Sequence, residues 1–183
     1  MNKLKPISLD NGVTQIHPLR SSDLLRLDSI TDNIFEILND DQNTLYIPEK
    51  KVNDRQTVSN RLLGVTYRYE HQLGYTHFIT LKANNEVLGL IDIFSPKGIE
   101  TETNYGIENT WFIEYYLNKK VWGLGVMSNA VKAIVENMKM QGIDNIAAFC
   151  RPENIASTRI LERTGFVNTG EFDQKQNLYK LIK

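Results

Sequence analysis

The sequence predicts an α/β (α+β) fold, with helices flanking a mixed, mostly antiparallel sheet, and two patterns carry that expectation. The first is a change of hydrophobic period at His77, from helical spacing before it to alternating or continuous apolar runs after it. The second is an aromatic-rich strand, residues 111–117, that passes through two glycines into a long amphipathic segment ending at Met140. A chain of 183 residues has the length of one domain with a well-buried core, and residues 1–183 are read as that domain.

Taken in order, residues 13–16 alternate like a short strand that stops at Pro18. Ser21, Ser22 and Asp23 then offer cap side chains for a helix with Leu24, Leu27, Asp28, Ile30, Ile34 and Leu38 along it. After a polar break at 39–43 and the apolar tether 45–48, a second helix starts near Asn53 or Asp54 and carries Val58, Leu62, Leu63 and Tyr69. Residues 78–81 and 87–94 form a hairpin about the turn 83–86. The polar stretch 95–110 connects it to the strand 111–117, and a helix over 126–140 ends at the cap residue Gly142. A strand at 145–151, a short helix at 154–163 ending at Gly165, and a hairpin of 166–172 with 176–182 complete the order β-α-α-β-β-β-α-β-α-β-β.

Composition excludes several classes. The 21 basic and 22 acidic side chains leave a net charge of −1, so no global field draws the protein to nucleic acid. No apolar run approaches a membrane span, no secretory segment leads the chain, and the lone Cys150 can form neither an internal disulfide nor a thiolate metal cage. A cytoplasmic protein is expected, without a metal, because His17, His71 and His77 are scattered with no ligand spacing. Cys150 reads as a small buried hydrophobe.

The most informative stretch is 116–127, where the strand meets the long helix through Gly123-Leu124-Gly125. Glycine lets a backbone approach a ligand closely, and the unpaired N–H groups of a helix start favour phosphate oxygens. A dinucleotide fingerprint would want a third glycine or alanine where Ser128 stands and an acid near 147–149, and a phosphate-binding loop would want Gly-Lys-Ser/Thr; neither motif is present.

Lys120-Val121-Trp122-Gly123-Leu124-Gly125 resembles the (Arg/Gln)-x-x-Gly-x-(Gly/Ala) signature of the GNAT acetyltransferase superfamily, with Lys120 at the first position. Asn154-Ile155-Ala156-Ser157 followed by Leu161-Glu162-Arg163-Thr164-Gly165-Phe166 is similar to the Asn-x-x-Ser…Glu-(Lys/Arg)-x-Gly-Phe run of its RimJ/RimL-type branch, whose members acetylate N-terminal amines of ribosomal proteins. The resemblance implies the GNAT fold, with the sheet splayed between two central strands, here 111–117 and 145–151. It implies acetyl-CoA as co-substrate, its pyrophosphate on the backbone of Gly123, Leu124, Gly125, Val126 and Met127, and its pantetheine along the strand that ends at Leu117. By the same resemblance Asn154 binds the cofactor or orders its loop.

Amine acetylation needs a neutral nucleophile, oxyanion stabilisation and a proton for the thiolate. Many superfamily members supply that proton from a tyrosine at the position of Leu161, so Ser157 is the candidate acid here; its competing role, like that of Asn154, is helix capping. The family glutamate falls at Phe112, and Glu114, two residues on and on the same strand face, is the candidate base, with solvent exposure or a lysine partner as the alternative. Lys119 and Lys120 either meet CoA phosphates or cover the strand end, and Glu100, Glu102 and Glu108 make an acidic connection that could favour a cationic acceptor. The expected activity is N-acetylation of a protein or peptide N-terminal amine by a monomer or homodimer. A small-amine acetyltransferase and a non-catalytic acyl-CoA-binding module are the rival readings.

Overall fold

The computed structural model describes residues 4–102, 107 and 109–182, the side chains of 100–102 apart. Strand β1 (Leu9–Asp10) folds back on β2 (Thr14–Pro18), and a 3-10 turn (Ser21–Arg26) leads into α1 (Leu27–Asn39). A single helical turn, α2 (Asp41–Thr44), and a 3-10 turn (Pro48–Lys50) precede α3 (Arg55–Glu70). The hairpin β3 (Gly74–Leu81) and β4 (Val87–Phe94) is followed by α4 (Pro96–Glu102), β5 (Trp111–Leu117), α5 (Val126–Met140), β6 (Ile146–Cys150), α6 (Ile155–Arg163), β7 (Phe166–Glu171) and β8 (Asn177–Leu181). The strands make one sheet in the order β1-β2-β3-β4-β5-β6-β8-β7, antiparallel except for β5 beside β6.

Both faces of the sheet are covered, which is why its central strands read as continuous apolar runs. Ile79, Ile91, Ile93, Trp111 and Ile113 point to the α5 side and pack with Val131, Ile134 and Met138. Their neighbours Phe78, Leu90 and Tyr116 point the other way, into Ile30, Ile34, Ile37, Val58 and Leu62 of α1 and α3. Each such fully buried aliphatic side chain contributes about 1.5–3 kcal/mol of transfer free energy.

Three local expectations are corrected. The first helix does not begin under Ser21 and Ser22: Asp23 is fully buried, accepts from the Arg20 N–H at 2.8 Å and from Arg26 Nη2 at 2.7 Å, and holds a 3-10 turn before α1, leaving Leu24 exposed. In α3, capped as expected by Asp54, Leu63 and Tyr69 lie on the exposed face. The connection 95–110 contains α4, a helix without an apolar stripe; Ser95 Oγ accepts the Gly98 N–H at 3.1 Å and Pro96 occupies the first turn.

Buried His77 sets an acid limit on this fold. The Ile7 N–H donates to His77 Nε2 at 3.1 Å, so the ring carries its proton on Nδ1, and burial, aided by the charge of His17, pushes its pKa down to about 4. The unfolded ring takes up its proton near pH 6.5, so this contribution is complete above about 6.5 and is lost as pH falls toward 4, at about 1.4 kcal/mol per pH unit. Thermal melts should show that slope in the wild type and a shallower one in His77→Gln; equal slopes would assign acid sensitivity elsewhere.

Candidate active site

β5 and β6 share only two rungs, Trp111 opposite Ile146 and Phe112 opposite Ala147. Beyond them the strands part: residues 113–117 of β5 keep strand partners only in β4, and 148–150 of β6 only in β8. The facing edges therefore lack ladder partners, and a ligand carrying amides can supply them. The wedge opens into a cleft of about 940 Å³ bordered by Tyr115, Leu117, Phe149, Asn154, Ser157 and Gly125, a size typical of small-molecule sites.

At one end of the wedge lies the glycine turn. Gly123 and Gly125 both have φ +75°, a left-handed conformation that explains the residue type at each. A Cβ at Gly123 would meet nothing within 4 Å, and one at Gly125 only Asn129 Nδ2 at 3.8 Å, so the glycines border open space rather than packed protein. The first helical bond runs from the Asn129 N–H to the Gly125 carbonyl at 3.0 Å, which leaves the N–H groups of Val126, Met127 and Ser128 at the cleft without helical partners. Leu124 contributes backbone alone, since its side chain is exposed and off the cleft wall. The Leu117 carbonyl accepts from Trp122 Nε1 at 3.0 Å, which ties the turn to the end of β5. Arg151 lines the same cleft, and its buried Nε has no hydrogen-bond partner. A backbone cradle with an unspent guanidinium N–H suits a phosphorylated, amide-containing ligand such as acetyl-CoA.

Across the wedge, Asn154 caps α6, its Oδ1 accepting the Ser157 N–H at 3.1 Å. Capping thus accounts for this oxygen of Asn154. Ser157 is different: its Oγ lies 2.7 Å from the Tyr115 hydroxyl, which also reaches the Ser157 carbonyl at 3.2 Å. When the phenol donates to Oγ, the serine proton is free to point elsewhere. Burial raises the Tyr115 pKa, so the phenol stays protonated and able to donate. Cys150 is buried against Ser157 and Thr158, and burial raises its thiol above the ordinary range, consistent with an inert side chain. Tyr115 was not singled out in the sequence. Strand alternation puts it on the face of Ile113, but nothing in the chain marks a serine 42 residues later as its partner.

Glu114 lies on the opposite face of β5, and its carboxylate accepts from Lys50 Nζ at 2.9 Å. Both side chains are about 30% exposed, at 27% for Glu114 and 31% for Lys50, and both line the cleft, so Glu114 is lysine-paired and also open to it. Lys119 bonds to Asp40 and Lys120 to Glu86, in ion pairs whose lysines are 53% and 40% exposed at the end of β5. Of the acidic connection, Glu108 and the side chains of Glu100 and Glu102 lie outside the described residues. Among the described residues no cluster of three His, Cys, Asp or Glu could hold a metal ion, and no helix is long and apolar enough to cross a membrane.

A sheet wedged open between two parallel central strands, with a glycine-capped helix at its mouth, defines an acyl-CoA-type transferase fold. The chain belongs to the acetyltransferase (GNAT) domain family, which matches residues 18–167. It is 28% identical over 127 residues to the probable N-acetyltransferase YjcK of Bacillus subtilis, covering 66% of this chain and 65% of that protein. It is 28% identical over 109 residues to the ribosomal-protein-serine acetyltransferase of Escherichia coli, covering 59% and 56%. The match thus spans less than two thirds of either curated relative. RimL, a ribosomal L7/L12 alpha-N-protein acetyltransferase solved in complex with coenzyme A, shares the fold with a TM-score of 0.67 at 18% identity, over 97% of this chain and 98% of that one.

Proposed function

We propose that the protein transfers an acetyl group from acetyl-CoA to a primary amine, the N-terminal amine of a peptide or protein. The observation that carries this reading is the two-rung wedge, with the Ser157–Tyr115 pair on one face of the sheet and the Lys50–Glu114 pair on the other. A thioester threaded through it presents its carbonyl between the two pairs. The amine attacks from the Glu114 side, the C–N bond forms, the C–S bond breaks, and the departing sulfur takes a proton from Ser157 Oγ, which stays hydrogen-bonded to the protonated Tyr115 phenol and regains its proton from water as Glu114 returns the amine's proton to solvent. Glu114 accepts the ammonium proton directly or through water, while Lys50 holds it in place. Gly123, Gly125 and the N–H groups of Val126, Met127 and Ser128 hold the pyrophosphate, with the backbone of Leu124 completing the turn. The relatives' activities, acetylation of ribosomal proteins among them, support this choice of acceptor.

An acceptor panel of peptides, polyamines and amino acids, read by mass, tests it. Peptides should gain 42 Da at the α-amine (the mass of an acetyl group replacing one hydrogen), and Glu114→Gln should lose the acidic limb of the pH–rate profile. Turnover of small amines with every peptide idle would reject the peptide acceptor; an unchanged acidic limb would reject Glu114 as base.

A further inference from the structure

A second cavity of about 260 Å³ lies between α3 and the sheet and shares Lys50, Phe94 and Tyr116 with the main cleft. It opens on the face of β5 that carries Glu114, the side from which the acceptor approaches. Leu62, Val65, Leu90 and Phe94 form apolar walls, and all the charged groups lining it come from Lys50, Arg61, Arg68 and Asp92. Their pairing is uneven. Lys50 is neutralised by Glu114 at 2.9 Å. Arg68 lies 3.8 Å from Asp92, whose carboxylate also accepts from the Thr76 hydroxyl. The Arg61 guanidinium has no ion pair or hydrogen bond among the described residues; its electrostatic neighbour is the phenol of Tyr116, which in turn bonds to Glu114.

A guanidinium left over beside an apolar pocket, with both neighbouring cations already matched, selects an anion, and it binds a carboxylate through two parallel hydrogen bonds. Glu114 and Tyr116 are two residues apart on one strand face, about 6–7 Å. The Tyr116 phenol bridges the two groups, bonded to Glu114 and next to Arg61, so an amine at Glu114 and an anion on Arg61 fall within the reach of one acidic side chain from its own α-nitrogen. We propose that this side cavity is the acceptor's specificity subsite and that Arg61 binds a carboxylate there, so that the preferred acceptor is an α-amine whose own residue is acidic. The inference rests on the acetyl-transfer reading above and names its substrate class.

The test compares peptides identical except for a first residue of Glu or Gln, together with free glutamate and glutamine, on wild type, Arg61→Gln and Arg61→Glu. Wild type should favour the Glu peptide by roughly tenfold or more in kcat/KM, carried mainly by KM, as the loss of one charge-assisted pair implies. Arg61→Gln should bring that ratio to about one, and Arg61→Glu should favour a Lys-first peptide, an inversion that a purely structural arginine would not produce. Calorimetric binding of acetyl-CoA identifies a misfolded variant. Preference for glutamate over glutamine with peptides idle supports the subsite and makes the acceptor a free amino acid. Equal rates on Glu and Gln acceptors in the wild type, or a ratio that survives Arg61→Gln, overturns the subsite and leaves acetyl transfer standing. No acetylation of any amine by protein that binds acetyl-CoA overturns the transfer reading itself.

Discussion

Ser157→Ala should lower kcat by about 10²-fold or more while the KM for acetyl-CoA changes little, because the lost hydroxyl acts on the sulfur only as it departs. Tyr115→Phe should slow turnover less, since Ser157 keeps its proton and loses the group that donates to it at 2.7 Å. If the two work as a relay, the double variant is no slower than Ser157→Ala alone, a non-additivity that independent residues would not show. Rapid mixing under single-turnover conditions separates this chemistry from product release. Full activity in Ser157→Ala would make the hydroxyl a tie between α6 and β5 and nothing more.

The second large effect is on donor binding. Gly125→Val puts a branched Cβ on a residue with φ +75° at the mouth of the cleft. The folding cost is about 1–2 kcal/mol, the ordinary penalty of a left-handed side chain, because the nearest atom to the added Cβ is Asn129 Nδ2 at 3.8 Å and nothing in the protein is displaced. On the proposed reading the cost to binding is larger, since the methyl groups would stand where phosphate oxygens approach the N–H groups of Val126 and Met127. Calorimetry should show acetyl-CoA affinity reduced about 100-fold or more, a loss of about 2.7 kcal/mol, in a protein that still melts cooperatively. Affinity within a few-fold of wild type would mean that the diphosphate is held elsewhere.

The framework of this site was legible where local chemistry alone decides structure. The strand at Trp111–Leu117 and the helix at Val126–Met140 match their expected bounds, because an aromatic run and an apolar stripe each report burial directly. α3 starts beside Asp54 as expected, and Asn154 caps α6, the alternative to its role in cofactor binding. α4 was hidden because it has no such stripe, although Ser95 before Pro96 was a readable start signal. Which residues partner the candidate reacting groups was not legible, although a lysine beside Glu114 was foreseen as a type. Lys50 meets Glu114 across 64 residues and Tyr115 meets Ser157 across 42, and neither pairing follows from spacing. The carboxylate partners of the lysines beside the glycine turn, Asp40 and Glu86, come from other elements and were likewise not readable from spacing.

The meagre contact between β5 and β6 also has a mechanical meaning. One block, β1 to β5 with α1 and α3, and another, β6 to β8 with α6, are bridged in the sheet by a pair of rungs and beyond it by the Tyr115–Ser157 contact and packing beneath α5. A molecule lodged in the opening would touch both blocks at once, a removable keystone whose binding should raise the melting temperature by bracing one block against the other.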